Sequence, residues 1–190
     1  EENMFKFISS REGDFGLKVL VSKAMDMPLV SFSTRKLVYA SSDYENGFSG
    51  VISSAVRDEN SLLTYHKTSN YMLNFVEKKK ALQMGYSEPI FLNTAGMITE
   101  GATTNIFFLK EDKIFTPKIT DGILPGVVRR HLIEESKLEI CEYSISKNSL
   151  SDFSGAVLTN SLIGVIKLNS INEIIFDKSD ELYRIMASEL

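Results

Sequence analysis

Short apolar runs of strand character, separated by polar stretches, recur along this chain, and the helical period replaces the strand period of two in only a few places. Leu17-Lys18-Val19-Leu20-Val21, Leu29-Val30-Ser31-Phe32 and Leu37-Val38-Tyr39-Ala40 read as strands, as does Val51-Ile52-Ser53-Ser54-Ala55-Val56. Residues 41–50, rich in Ser, Gly, Asn and Asp, read as a loop. That loop marks a boundary between a leading piece, residues 1–48, and a main domain, residues 49–190.

The period lengthens over Asn70 to Met84, which predicts a helix. Leu73, Val76, Lys80 and Met84 fall near one stripe, and Met72, Phe75 and Leu82 widen its apolar face. Gly85 stands where a C-cap glycine belongs. A β-meander is predicted next: Pro89 to Leu92, a turn over Asn93-Thr94-Ala95-Gly96, a return strand from Met97, the buried strand Asn105 to Leu109, a tight turn at Glu111-Asp112, and Lys113 to Pro117. Pro125-Gly126 opens a second helix, Val127 to Lys137. Strands at Ile140 to Ser144, Ala156 to Thr159, Gly164 to Leu168 and Ile174 to Phe176 follow, with a short helix over Lys147 to Asp152 and a terminal helix over Asp177 to Glu189. Strands punctuated by helices make the class α+β, or mixed α/β.

Composition narrows this little. The 190 residues are 43% hydrophobic and 24% charged, ordinary for a globular domain large enough to bury a core. A net charge of −4 argues against a general nucleic-acid binder, which carries a basic stripe. Lys78-Lys79-Lys80 reads as a solvated helix face rather than a phosphate site. The lone Cys141 allows no intramolecular disulfide, fits a reducing compartment and reads as a strand residue. No apolar run approaches the roughly 18 residues of a membrane helix, and Glu1-Glu2-Asn3-Met4 does not resemble a signal peptide. A cytoplasmic protein is expected.

Four segments carry candidate chemistry: Tyr65-His66-Lys67-Thr68-Ser69-Asn70-Tyr71, Thr99-Glu100-Gly101-Ala102-Thr103-Thr104-Asn105, Gly122-Ile123-Leu124-Pro125-Gly126-Val127-Val128-Arg129 and Leu158-Thr159-Asn160-Ser161-Leu162. Alone, each has an ordinary reading: a surface lysine, a turn, a helix start, a strand end. Together and in this order, over roughly Leu17 to Leu168, they resemble the class IV aminotransferases, the fold-type IV enzymes of pyridoxal 5'-phosphate (PLP). That family includes branched-chain aminotransferases, D-amino acid aminotransferases and aminodeoxychorismate lyases.

The resemblance implies the large C-terminal domain of the D-amino acid aminotransferase-like fold over 49–190, and a remnant of the small N-terminal domain over 1–48. It implies that Lys67 forms a Schiff base with the PLP aldehyde and later shuttles protons. Glu100 would sit beside the pyridine nitrogen and favour its proton. The amides of Val127 and Val128, at a helix N-terminus, would bind the phosphate, with Asn160 and Ser161 as a second phosphate segment. Tyr71 would lie near the phenolic oxygen, and Thr104 would support Glu100 or the ring. The family often has Thr where this chain has Val128, and Pro where it has Lys167. His66 could donate a proton, but neighbours on a strand face opposite ways, which makes it a bystander.

Two details favour aminodeoxychorismate lyase. Lys67 precedes Asn70 by three residues, and Asn160-Ser161-Leu162-Ile163-Gly164-Val165 resembles a stretch common among the lyases. The implied reaction converts 4-amino-4-deoxychorismate to 4-aminobenzoate and pyruvate, a step towards folate. The alternatives are an aminotransferase for branched-chain or D-amino acids, an inactive fragment or non-catalytic relative, and a phosphate-binding module unrelated to PLP. Family lysines lie well over a hundred residues into the chain, so most of the N-terminal domain is expected to be absent, with the full-length protein a homodimer. Arg11, Arg35 and Arg57 match no phosphate-clamping motif.

Overall fold

A computed structural model describes residues 2–190 and divides the chain into two compact units, one ending at Ala40 and one running from Ser41 to Leu190. The first unit holds helix α1 (Glu2–Ser9) and a hairpin of strands β1 (Gly16–Ala24) and β2 (Met27–Arg35). The two strands pair antiparallel, Val21 opposite Val30. The ring of Phe7 on α1 lies 5.7 Å from that of Phe32 on β2, and Arg11 covers the Phe7 ring and donates to the Phe7 carbonyl, 2.7 Å. The expected strand at Leu37 to Ala40 does not form; the segment joins neither sheet. β-propensity measures fit to a pleated neighbour, and a good composition alone makes no ladder.

The second unit opens with a correction. Residues 41–46, expected as loop, form helix α2 (Ser41–Asn46), followed by β3 (Phe48–Arg57). The turn-forming residues act at the helix end: Gly47 has φ +71° and its amide donates to the Asp43 carbonyl, 2.8 Å. Helix α3 (Met72–Gln83) then crosses from β3 to the parallel strand β4 (Glu88–Asn93). Gly85, at φ +85°, closes α3: its amide donates to Leu82 O and that of Tyr86 to Ala81 O, the paired bonds of a Schellman cap.

Then follow β5 (Ile98–Gly101), β6 (Asn105–Lys110), β7 (Lys113–Thr116), helix α4 (Val127–Glu134), β8 (Ile140–Glu142), a 3₁₀ turn at Lys147–Asp152, β9 (Gly155–Asn160), β10 (Gly164–Ile171), β11 (Ile174–Ile175) and helix α5 (Ser179–Ala187). Their order in the sheet is β5-β4-β3-β10-β9-β6-β7-β8, with β11 beside β10. This corrects the expected meander. β4–β5 and β6–β7 are hairpins, but β6 pairs with β9, Asn105 opposite Thr159, and not with β5. Three residues between β5 and β6, Ala102 to Thr104, redirect the chain, and alternation alone does not name a strand's neighbour.

The sheet curls until its two ends meet. Ile98 N on β5 donates to Ile145 O beyond β8, 2.7 Å, and Met97 bridges Ser146. On one face Phe107, Leu109, Val157 and Val165 pack with Leu132 of α4 and Leu182 and Met186 of α5. The sequence spacing of Phe107 and Leu109 is the strand period at work.

Helix α3 departs from its pattern. Met72, Leu73, Phe75, Val76 and Leu82 are exposed, while Glu77 and Ala81 are buried. Polar anchors orient the helix instead: Glu77 accepts from Ser53 Oγ (2.8 Å) and Lys80 Nζ (2.6 Å), and Lys78 donates to Ser87 O, 2.6 Å, and pairs with Glu88. Two of the three consecutive lysines are therefore ion-paired rather than simply solvated. Lys167, unexplained by pattern, donates to Glu45 O (2.6 Å) and Asp180 Oδ1 (2.8 Å), joining β10 to α2 and α5. Among the described residues no helix is long and apolar enough to cross a membrane.

Candidate active site

Beyond β3 the chain makes a 3₁₀ turn at Leu62–Tyr65, fixed by Thr64 Oγ1 donating to Asp58 O, 2.8 Å. His66, extended, leads out of that turn to Lys67, and the chain enters α3 with Tyr71 as the N-cap residue. Lys67 Nζ donates to the Tyr71 hydroxyl, 2.6 Å, and lies 4.7 Å from the centre of its ring. Lys67 is exposed. His66 is not on a strand, so the opposite-faces argument does not apply to it. It borders the same cleft as Lys67, and its Nδ1 lies 2.8 Å from Leu62 O.

Glu100, on β5, is buried. Its Oε1 lies 3.3 Å from Arg57 Nη2, and its Oε2 accepts from Leu124 N (3.0 Å) and Asn105 Nδ2 (3.0 Å). Burial pushes the Glu100 carboxyl up from 4.5 to about 7, against the pull of the Arg57 guanidinium and the Leu124 N–H, with smaller pulls from Lys67 and Arg129. The Thr104 hydroxyl donates to Glu88 Oε1, 3.1 Å, so it supports a different carboxylate from the expected Glu100.

Pro125-Gly126 leads into α4. Gly126 is extended, and the first amide bonded along the helix is that of Arg130, to Gly126 O at 2.9 Å. The Val127 and Val128 amides have no helical acceptor and carry the positive end of the peptide dipoles. A Cβ at Gly126 would collide with Asn105 Oδ1, so this close approach requires glycine. Where β9 turns into β10, Asn160 Oδ1 accepts from Leu162 N (2.8 Å) and Ile163 N (3.0 Å), and its Nδ2 donates to Thr103 O, 3.1 Å. Ser161 beside it is exposed.

These four segments meet around one cleft of about 400 Å³. Lys67, Tyr71, Glu100, Thr104, Val127, Val128, Asn160 and Ser161 all line it. So do Arg57 and Asn105, which sequence reasoning did not assign. Arg57 lies against Glu100 with its guanidinium 4.5 Å above the Phe91 ring, and Asn105 also donates to Leu124 O, 2.9 Å. Arg57 ends an ordinary strand, with no local signal. Asn105 stood inside a quoted motif, but only folding shows that its amide faces Glu100. The arrangement offers an amine beside a phenol, a buried carboxylate and free helix amides, all open to one ligand. Among the described residues no three His, Cys, Asp or Glu side chains gather as a metal site would need.

A probable branched-chain-amino-acid aminotransferase of Rickettsia conorii is 36% identical over 116 residues, 57% of this chain and 40% of that protein. An aminodeoxychorismate lyase of Bacillus subtilis is 33% identical over 111 residues, 57% of this chain and 38% of that one. The matched stretch thus spans about two fifths of these relatives' length. A putative 4-amino-4-deoxychorismate lyase of Legionella pneumophila superposes with a TM-score of 0.85 at 24% identity, over 100% of this chain and 75% of that one, and so shares the fold. The sequence matches the family described as amino-transferase class IV over residues 5–171. This chain belongs to the class IV aminotransferase family.

Proposed function

We propose that this chain carries the cofactor-binding part of a PLP enzyme acting on an amino substrate, and that the reaction is the cleavage of 4-amino-4-deoxychorismate. One observation carries the PLP reading: four segments distant in sequence bring Lys67, buried Glu100 and the amides of Val127 and Val128 around a single cleft. That donor set fits PLP, which presents an aldehyde, a basic ring nitrogen and a phosphate. When bound, PLP supplies an electron sink for the carbon that bears the substrate amine.

The chain's residues divide the work. Lys67 would hold the cofactor covalently through Nζ, and Tyr71 orients that amine through its hydroxyl. Glu100 would hold a proton at the ring nitrogen; Arg57, Asn105 and the Leu124 amide fix where its oxygens point. The amides of Val127 and Val128 bind the phosphate at the start of α4, with Ser161 and the turn built by Asn160 alongside. Lys67 Nζ, beside the Tyr71 hydroxyl, would be the base that takes the proton from the amine-bearing carbon. In the lyase reaction the C–H bond and the ether C–O bond break, the ring becomes aromatic, and the enolpyruvyl fragment takes up the proton and leaves as pyruvate. Substrate and the two products balance with no oxidant and no water.

The Asn160 to Val165 stretch and the likeness to the Bacillus subtilis lyase support the lyase. The likeness to the rickettsial aminotransferase supports the second reading, amino transfer from a branched-chain amino acid. The test is an absorbance titration with PLP, followed by borohydride reduction and peptide mapping, on this chain and on Lys67→Ala. Label on Lys67 alone is expected. Supplying aminodeoxychorismate and, separately, a branched-chain amino acid with 2-oxoglutarate then decides between 4-aminobenzoate and glutamate as the product. Label elsewhere, with Lys67 unmodified, overturns the reading.

A further inference from the structure

We propose that Glu88 is a positioning residue for this site: its carboxylate ties helix α3, which follows Lys67 and Tyr71, to the turn over residues 101–104, which follows Glu100, and so keeps the two poles of the cleft in register. The inference deepens the PLP reading and rests on it for its functional meaning.

Glu88 is fully buried at the start of β4 and does not line the cleft. Its Oε2 pairs with Lys78 Nζ on α3. Its Oε1 accepts from the Thr104 hydroxyl, 3.1 Å, and the Thr103 amide, 3.3 Å. A Cβ on Gly101 would collide with both Glu88 Oε1 and Thr104 Oγ1, so the carboxylate is packed against the backbone immediately after Glu100. The pair is buried at its Glu88 end and partly exposed at Lys78, so the carboxylate is held from the helix side while its other oxygen stays on the turn.

The turn needs such an anchor because side chains hold it on every side. Asn74 on α3 donates to Ala102 O, Asn160 Nδ2 to Thr103 O (3.1 Å), and Arg57 Nη2 to Gly101 O (3.4 Å). Glu88 alone in this set accepts rather than donates; Asn74 joins the turn to the first turn of α3, and Glu88 joins it to the middle of the helix through Lys78. Without it the Thr103 amide and Thr104 hydroxyl must turn towards water, and the turn that follows Glu100 loosens with them.

Two double variants separate placement from bulk. Glu88→Leu with Lys78→Met replaces the pair by apolar groups and removes the acceptor. Glu88→Gln with Lys78→Met removes the charges and keeps an oxygen for Thr103 and Thr104. Amide exchange by NMR and PLP affinity by absorbance are read on both and on the parent chain. The leucine variant is expected to exchange its Thr103 amide, and to release PLP, about tenfold more readily; the glutamine variant stays within about threefold of the parent, with β9 amides unchanged in each. Parental exchange and affinity in the leucine variant overturn the proposal, as does equal impairment in both. If the parent takes up no PLP, the PLP reading of this chain fails, and the exchange rates alone decide the role of Glu88.

Discussion

Asn105 Nδ2 lies 3.0 Å from Glu100 Oε2 and 2.9 Å from the carbonyl of Leu124, so one carboxamide binds both the buried carboxylate and the strand of chain that leads into α4. Asn105→Ala removes a donor that favours the charged form of Glu100. Its carboxyl is expected to titrate higher than in the parent, read by carbon NMR of labelled glutamate. Stability is expected to fall by about 1 kcal/mol in denaturant unfolding, because Glu100 Oε2 loses one of its two donors and the Leu124 carbonyl loses the Asn105 amide.

Glu100 also sets a pH dependence. Its folded value is raised, from 4.5 to about 7, so between those values the folded state holds more protons than the unfolded one. The stability this contributes is fully present below 4.5 and is lost as pH rises through 7. A shift of that size corresponds to on the order of 3 kcal/mol. In Glu100→Gln this slope is expected to vanish, seen as a flatter profile of unfolding free energy between pH 4.5 and 7.

Gly126→Ala places a methyl group on Asn105 Oδ1. A loss of about 1–3 kcal/mol is expected from the overpacking. Most of that loss should be absent when the change is made in Asn105→Ala, where the obstructing oxygen is gone. A double-mutant cycle measures the coupling, and additive losses would contradict the close approach.

Lys67→Ala is expected to abolish reductive labelling and to lower turnover by at least about 10²–10⁴-fold, the usual size of a general acid–base contribution. Tyr71→Phe keeps the ring and loses the hydroxyl that holds Nζ. It is expected to retain labelling with reduced turnover. The two variants are compared by mass spectrometry of the reduced peptide and by initial rates.

Away from the cleft, the Lys167 ammonium holds the Asp180 carboxyl below its ordinary value, chiefly through their hydrogen bond. In Lys167→Met the Asp180 titration is expected to return towards 3.8, and amide exchange at the Asn46 end of α2 to quicken as the Glu45 carbonyl loses its donor.

What could be read from the sequence divides along a physical line. Lys67, Glu100, Gly126 and Asn160 were legible because four short motifs stand together in the order a family shows; alone, each motif has an ordinary reading. The strand Asn105 to Leu109 was legible as buried from its unbroken apolar run. Arg57 and Glu88 were not, because each acts on residues many positions away that only the sheet order brings close. The same order hid the partner of β6. The exposed face of α3 was misread for a related reason: Asn74, Glu77 and Lys78 orient the helix by polar bonds, while its apolar residues spread too widely to name a face.

The Asn105 side chain also makes the cleft a gauge of length. The carboxylate that would meet one end of a ligand and the helix start that would meet the other are braced against the same carboxamide, with no side chain on Gly126 to yield between them. Neither end can shift without disturbing the other. A ligand with the right groups but one bond too long or too short would have to give up one pole to keep the second, so recognition here would depend on span as much as on charge.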